Sequence, residues 1–265
     1  MRMHTRRALA ATVSVLALAA ATPAVSSGGV EWGYHGDIGA ERWGSLVDFH
    51  GDRAYPLCAA GTEQSPIDIP ASANADTRRM PIDFDYRPVP LNVKNNGHTI
   101  QVDYAPGSTM TVRGVTYDLL QFHFHVPSEH TVDGDSYPMA GHLVHGRPNG
   151  DGLDLAVVGI LMAEGDANPV IQGIWDHMPA TAATVPVKGA SIDAADLLPD
   201  AREYYAYDGS LTTPPCSEGV KWHVLADPIS VSAGQIAAFA ELFDMNARPT
   251  QPLNGRLVIE SAARP

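Results

Sequence analysis

Along most of the chain the apolar residues fall in short clusters rich in β-branched and aromatic side chains, and Gly, Pro, Asn or Asp separates one cluster from the next. That punctuation predicts strands over Leu91–Val93, Thr99–Val102, Met110–Arg113, Tyr117–His125, His142–His145, Leu155–Met162, Tyr204–Tyr207, Lys221–Leu225 and Arg256–Ile259. Asn95-Asn96-Gly97 and Asp133-Gly134-Asp135 have the composition of tight hairpin turns. A helical period is confined mainly to Pro169–His177 and Ser232–Phe243. In the second, Ile236, Phe239, Ala240 and Phe243 share one face behind Ser232 as N-cap. The chain reads as mostly β.

The first residues break this pattern. Arg2, Arg6 and Arg7 precede an Ala-, Leu- and Val-rich run from Ala8 to Ala21, and a small-residue, Pro-containing stretch follows from Thr22 to Gly29. This is the form of an export signal over residues 1–27, with cleavage expected between about Ser26 and Val30. The run is too short to span a bilayer as a helix. Thr5-Arg6-Arg7 fits twin-arginine export and an ordinary leader equally well. The expected product is a periplasmic or secreted protein of residues 28–265, a single domain, since no linker, charge run or fixed-period repeat divides it.

Without the leader's three arginines, 14 of the 17 Lys and Arg remain against 30 Asp and Glu, a charge near −16. Such a surface repels nucleic acid and anionic membranes, so neither is an expected partner. Cys58 and Cys216 are the only cysteines. Their separation excludes a C-x-x-C redox or zinc motif, and an even pair in an exported chain points to a disulfide.

The candidate chemistry lies in Gln121-Phe122-His123-Phe124-His125, followed by Val-Pro-Ser-Glu129-His130. In a strand Gln121, His123 and His125 share one face, and Phe122 and Phe124 the other. Two imidazoles then converge as metal ligands while the phenylalanines fill a core behind them. A catalytic zinc takes three protein ligands and keeps one position open, so a third donor is expected from another strand. His142 and His145 have opposite parity, and only one can face the metal. Spacing does not choose between them, and His130 or a nearby Asp or Glu is a further candidate.

QFHFH, SEHTVDG and HLVH, followed by Gly209-Ser-Leu-Thr-Thr-Pro-Pro215 and preceded by Gln64-Ser-Pro-Ile-Asp68 and Asn95-Asn-Gly-His98, together resemble an α-class carbonic anhydrase of the exported bacterial kind. The likeness runs in order from Trp32-Gly33-Tyr34 to about Ile259. It implies one domain on a large, mainly antiparallel twisted sheet with a few short surface helices. The implied reaction is reversible hydration of CO2 to bicarbonate and a proton, by attack of zinc-bound hydroxide. By the same resemblance His123, His125 and His142 bind Zn2+, which makes His145 a bystander. Thr212 accepts a hydrogen bond from that hydroxide and passes its own hydrogen to Glu129, which orients the nucleophile. His98 is the proton shuttle; on residue type alone it reads as a surface histidine after a turn. Val144, Val157, Leu211 and Trp222 form an apolar substrate wall. Gln121 orients His123, and the Cys58–Cys216 bridge braces the Thr212 loop. CO2 or bicarbonate as substrate and sulfonamides or anions as inhibitors are the implied small-molecule partners, with a homodimer left open.

One position departs from the resemblance: the usual Glu two residues before the third ligand is here Ala140, followed by Gly141. Two rival readings stand beside the enzyme. His123-x-His125-x3-Glu129 also fits the short metal motif of cupin-like non-haem proteins, with Glu129 as ligand, although the flanking glycines are misplaced. A catalytically silent binding module on the same fold is the other, and such modules typically lose zinc histidines that this chain keeps. No G-x-S-x-G elbow, Walker loop or H-E-x-x-H helix supports a different enzyme class.

Overall fold

The computed structural model describes residues 29–70, 73–76, 80–150 and 152–261. The expected export signal lies outside them. The main sheet contains, in chain order, β1 (Asn74–Asp76), β2 (Val89–Asn95), β3 (Ile100–Asp103), β4 (Val115–His125), β5 (Met139–Asn149), β6 (Gly152–Glu164), β7 (Ala183–Ile192), β8 (Tyr204–Ser210), β9 (Glu218–Leu225) and β10 (Ile259–Ser261). Across the sheet they run β7-β2-β3-β4-β5-β6-β9-β8-β10-β1. Most neighbours are antiparallel, but β6 with β9 and β10 with β1 are parallel, so the sheet is mixed. Among the described residues no helix is long and apolar enough to cross a membrane.

The turns follow from their residues. Asp133 and Gly134 both take positive φ, 51° and 84°, where Val132 pairs with Asp135, a two-residue hairpin of the kind that asks for Asp-Gly. Met110–Arg113 ends one residue early because Arg113 (φ 53°) and Gly114 (φ 75°) make another such turn between Val112 and Val115. Arg256–Ile259 is a strand only from Ile259, since Arg256 instead gives its guanidinium to the carbonyls of Gln64, Pro252, Leu253 and Asp208. The sequence pattern misses β7 because that edge strand is mostly exposed and carries Pro186 and Gly189, leaving no alternation to read.

Strand β4 divides the molecule's interior. Phe122 and Phe124 are fully buried on one face, where helices α1 (Pro169–Trp175) and α2 (Ala233–Ala240) cover them through Trp175 and Phe239. Asn168 caps α1, and α2 opens with a capping box between Ser232 and Gln235. Truncating either phenylalanine to Ala would cost about 3–5 kcal/mol. On the opposite face a second, smaller core gathers Val157, Leu161, Tyr207, Val220, Trp222 and Val224, with Val144 and Leu211 packed against it. The histidines sit on that second face.

Candidate metal centre

The parity of the strands settles which histidines meet. In the antiparallel β4–β5 pair His123 lies directly opposite His142, with Gln121 opposite Val144 and His125 opposite Ala140. These six therefore share a face. A register shift between Val144 and His145 follows, and His145 ends on the other side, its Nε2 2.7 Å from the Tyr86 hydroxyl. His130 is also turned away, its Nε2 2.6 Å from the Tyr207 hydroxyl, which in turn donates to Ser65 Oγ at 2.9 Å. The ligand-type atoms of His123, His125 and His142 all lie within 4.8 Å of one another.

Each ring's free nitrogen is set by what the other nitrogen does. His125 Nδ1 donates to the Asn246 carbonyl at 2.7 Å, and His123 Nδ1 is 2.9 Å from Gln121 Oε1. Both rings thus present a bare Nε2. His142 Nδ1 lies 3.7 Å from Glu129 Oε2, and His125 Nε2 lies 3.6 Å from that same oxygen, so His142 offers Nδ1 inward and directs Nε2 away. Burial, then repulsion from His125, pushes the His123 and His142 pKa values well below the usual range, leaving neutral imidazoles with lone pairs available. The Nε2 of His125 is buried and has no protein partner. Three imidazole nitrogens on converging strands fit a zinc-type cation.

Beside the cluster stands Glu129, 2% exposed. Its Oε1 accepts the Arg248 backbone N–H at 2.9 Å. Burial raises its pKa, and His125, Thr212 and Arg248 offset part of that rise. Thr212 is close enough to hydrogen-bond the carboxylate, and Oε2 is buried without a partner. The Thr212 loop is tied down from below. Cys216 is bonded to Cys58, with Cα atoms 5.1 Å apart, and the Cys216 carbonyl accepts from Gln64 Nε2. Gly209 enters this loop because a Cβ there would lie 2.2 Å from Ser65 Oγ and 2.9 Å from Trp222 Cδ1. Val144, Val157, Leu211 and Trp222 belong to one apolar cluster on the histidine face. His98 is half-buried, which lowers its pKa, and its ring stacks on Trp32 at 3.8 Å with 5° between planes.

Asn246 and Arg248 carry roles that the sequence reading did not assign. Asn246 orients His125 through its carbonyl, and its side chain bonds the Val126 N–H and the carbonyls of His98 and Phe124. Arg248 holds Glu129 through its N–H while its guanidinium binds Gln64 Oε1, the Ser65 carbonyl and the Cys58 carbonyl. Both lie in an irregular segment with no periodicity or motif to flag them.

Fold and site together define a β-sheet protein with a three-histidine cluster of metal-binding geometry beside an apolar wall. The family model for eukaryotic-type carbonic anhydrase matches residues 39–262. A carbonic anhydrase of Nostoc sp. is 46% identical over 236 residues, covering 88% of this chain and 86% of that protein. One from Pectobacterium carotovorum is 39% identical, covering 97% of this chain and all of the relative. Among solved structures, the α-carbonic anhydrase of Thermovibrio ammonificans in complex with sulfanilamide superposes with a TM-score of 0.80 at 41% identity, covering 88% of this chain and all of that one. The chain belongs to the α-class carbonic anhydrase family.

Proposed function

We propose that the chain catalyses reversible hydration of CO2 to bicarbonate and a proton, with zinc held by His123, His125 and His142. The observation that carries this reading is the cluster itself: three imidazoles with ligand atoms within 4.8 Å of one another, beside an apolar wall suited to a small apolar substrate. Zinc in such a site supplies a nucleophile from water at neutral pH, a chemistry for which carbonic anhydrases are the type case.

The chain's own residues do the rest. Gln121 and the Asn246 carbonyl fix the His123 and His125 rings, so the donor nitrogens converge without reorganisation. Glu129, anchored by the Arg248 N–H, accepts the Thr212 hydrogen, leaving the Thr212 oxygen as an acceptor that orients the attacking group. Val144, Val157, Leu211 and Trp222 exclude water from the face where CO2 would rest. His98, mainly neutral near pH 7 because burial lowers its pKa, accepts the product proton and delivers it to buffer. Glu129 is not part of the three-histidine cluster, which disfavours the cupin-like assignment.

The same reading includes sulfonamides as inhibitors, consistent with the sulfanilamide complex of the Thermovibrio relative. It also includes export to the periplasm or medium, in keeping with the N-terminal pattern and the Cys58–Cys216 bridge. Stopped-flow CO2 hydration on metal-analysed protein, with and without a sulfonamide, is the test. Sulfonamide-sensitive hydration with one zinc per chain is expected; zinc-loaded protein without hydration would leave a silent binding module.

A further inference from the structure

His142 Nε2 is buried and has no hydrogen-bond partner in the protein. With Nδ1 turned towards the other two ligand nitrogens, Nε2 carries the hydrogen. A metal-ligating imidazole normally gives that hydrogen to an outer acceptor, which fixes the ring and makes the ligand more basic. His123 and His125 each have one, in Gln121 and the Asn246 carbonyl. His142 does not.

The reason lies in its neighbours on that face. Along β5 the adjacent positions are Ala140, 2% exposed, and Val144. Across β6 the opposing residue is Gly159, flanked by Val157 and Leu161. None of these side chains contains an acceptor. The Trp222 ring is 4.9 Å away, but its only polar atom is a donor already given to the Ser210 carbonyl. The His130 ring, at 6.0 Å, is engaged through Nε2 with Tyr207, and no hydrogen bond joins the two imidazoles.

We infer that Ala140 makes this a fast-exchanging metal centre: the third ligand, His142, lacks a protein acceptor for its outer nitrogen, and zinc leaves the site more readily than it would if that nitrogen were held by one. The inference rests on the zinc reading given above. A solvent molecule beside Nε2 would accept the hydrogen but bring no negative charge, so it orients the ring without raising its basicity. Ala140 precedes His142 by two residues on the same strand face, so a longer side chain there is placed to reach Nε2.

Zinc-loaded wild type, Ala140→Gln and Ala140→Glu would be mixed with excess chromophoric chelator and zinc release followed, after circular dichroism has verified the fold of each. Losing an outer-shell partner weakens metal binding about 10–100-fold, so Ala140→Glu is expected to slow release by about tenfold or more. Ala140→Gln, an acceptor without charge, should slow it by less. Equal release rates in the three folded proteins would overturn the inference. Should both variants misfold, the 15N-histidine NMR spectrum of the zinc-loaded wild type decides. Solvent-exchanging Nε2–H on His142 is expected, whereas a slowly exchanging, strongly downfield proton would reveal a firm acceptor and refute it. Failure of wild type to take up zinc at all would instead defeat the zinc assignment.

Discussion

Acid should unfold this protein partly through a histidine outside the metal cluster. His223 on β9 is 5% exposed, and its Nδ1 is buried without a partner. Burial, with a further push from Arg113, lowers its pKa from 6.5 to about 4. The unfolded chain therefore takes up the proton first as pH falls. His223 leaves stability untouched above about pH 6.5, and stability drops progressively as pH falls from there towards about 4. At pH 5 the folded form has resisted protonation over about 1.5 pH units, and at 1.36 kcal/mol per unit the loss is about 2 kcal/mol. His223→Leu removes the titration by replacing the buried imidazole, whose Nδ1 has no partner, with an apolar side chain of similar size. Urea unfolding of metal-free, disulfide-intact protein at pH 7.5 and pH 5.0 measures the effect without interference from zinc loss. Wild type should lose about 2 kcal/mol more than His223→Leu between the two pH values. Equal losses in both proteins would refute the reasoning, showing that His223 titrates normally or is hydrated in the fold.

Other expectations concern the site. Alanine at His123, His125 or His142 should abolish tight zinc binding by dialysis and metal analysis, because two donors make a poor site, while zinc retained in His142→Ala would show that the parity argument is wrong. Thr212→Ala should keep zinc and lower kcat/KM on the order of a hundredfold in stopped-flow assays, the scale for one lost positioned partner in a transition state. His98→Ala should lower kcat in dilute buffer and recover with added imidazole, with kcat/KM little changed; a kcat indifferent to buffer concentration would remove His98 from the proton path.

The legible parts of this molecule were those governed by local periodicity. Alternation in Gln121–His125 placed the histidines on one face and the phenylalanines on the other, as found. Choosing between His142 and His145 needed either the family resemblance or the cross-strand register, because parity alone admits either one but not both, and a register shift follows Val144. Asn246 and Arg248 were invisible because their roles run through a backbone carbonyl and a backbone N–H, groups that every residue possesses. Ala140 was visible as a departure. Its consequence, a buried N–H on His142 with no protein acceptor, required the opposing Gly159 and the surrounding apolar residues to be placed as well.

Titration of metal-free protein with zinc while CO2 hydration is followed by stopped flow tests the central claim most directly. The three-histidine centre predicts no hydration above background without metal, a linear rise with added zinc, a break at one equivalent, and a flat line for His125→Ala. Hydration by the metal-free protein, or full activity restored to His125→Ala by stoichiometric zinc, would contradict it.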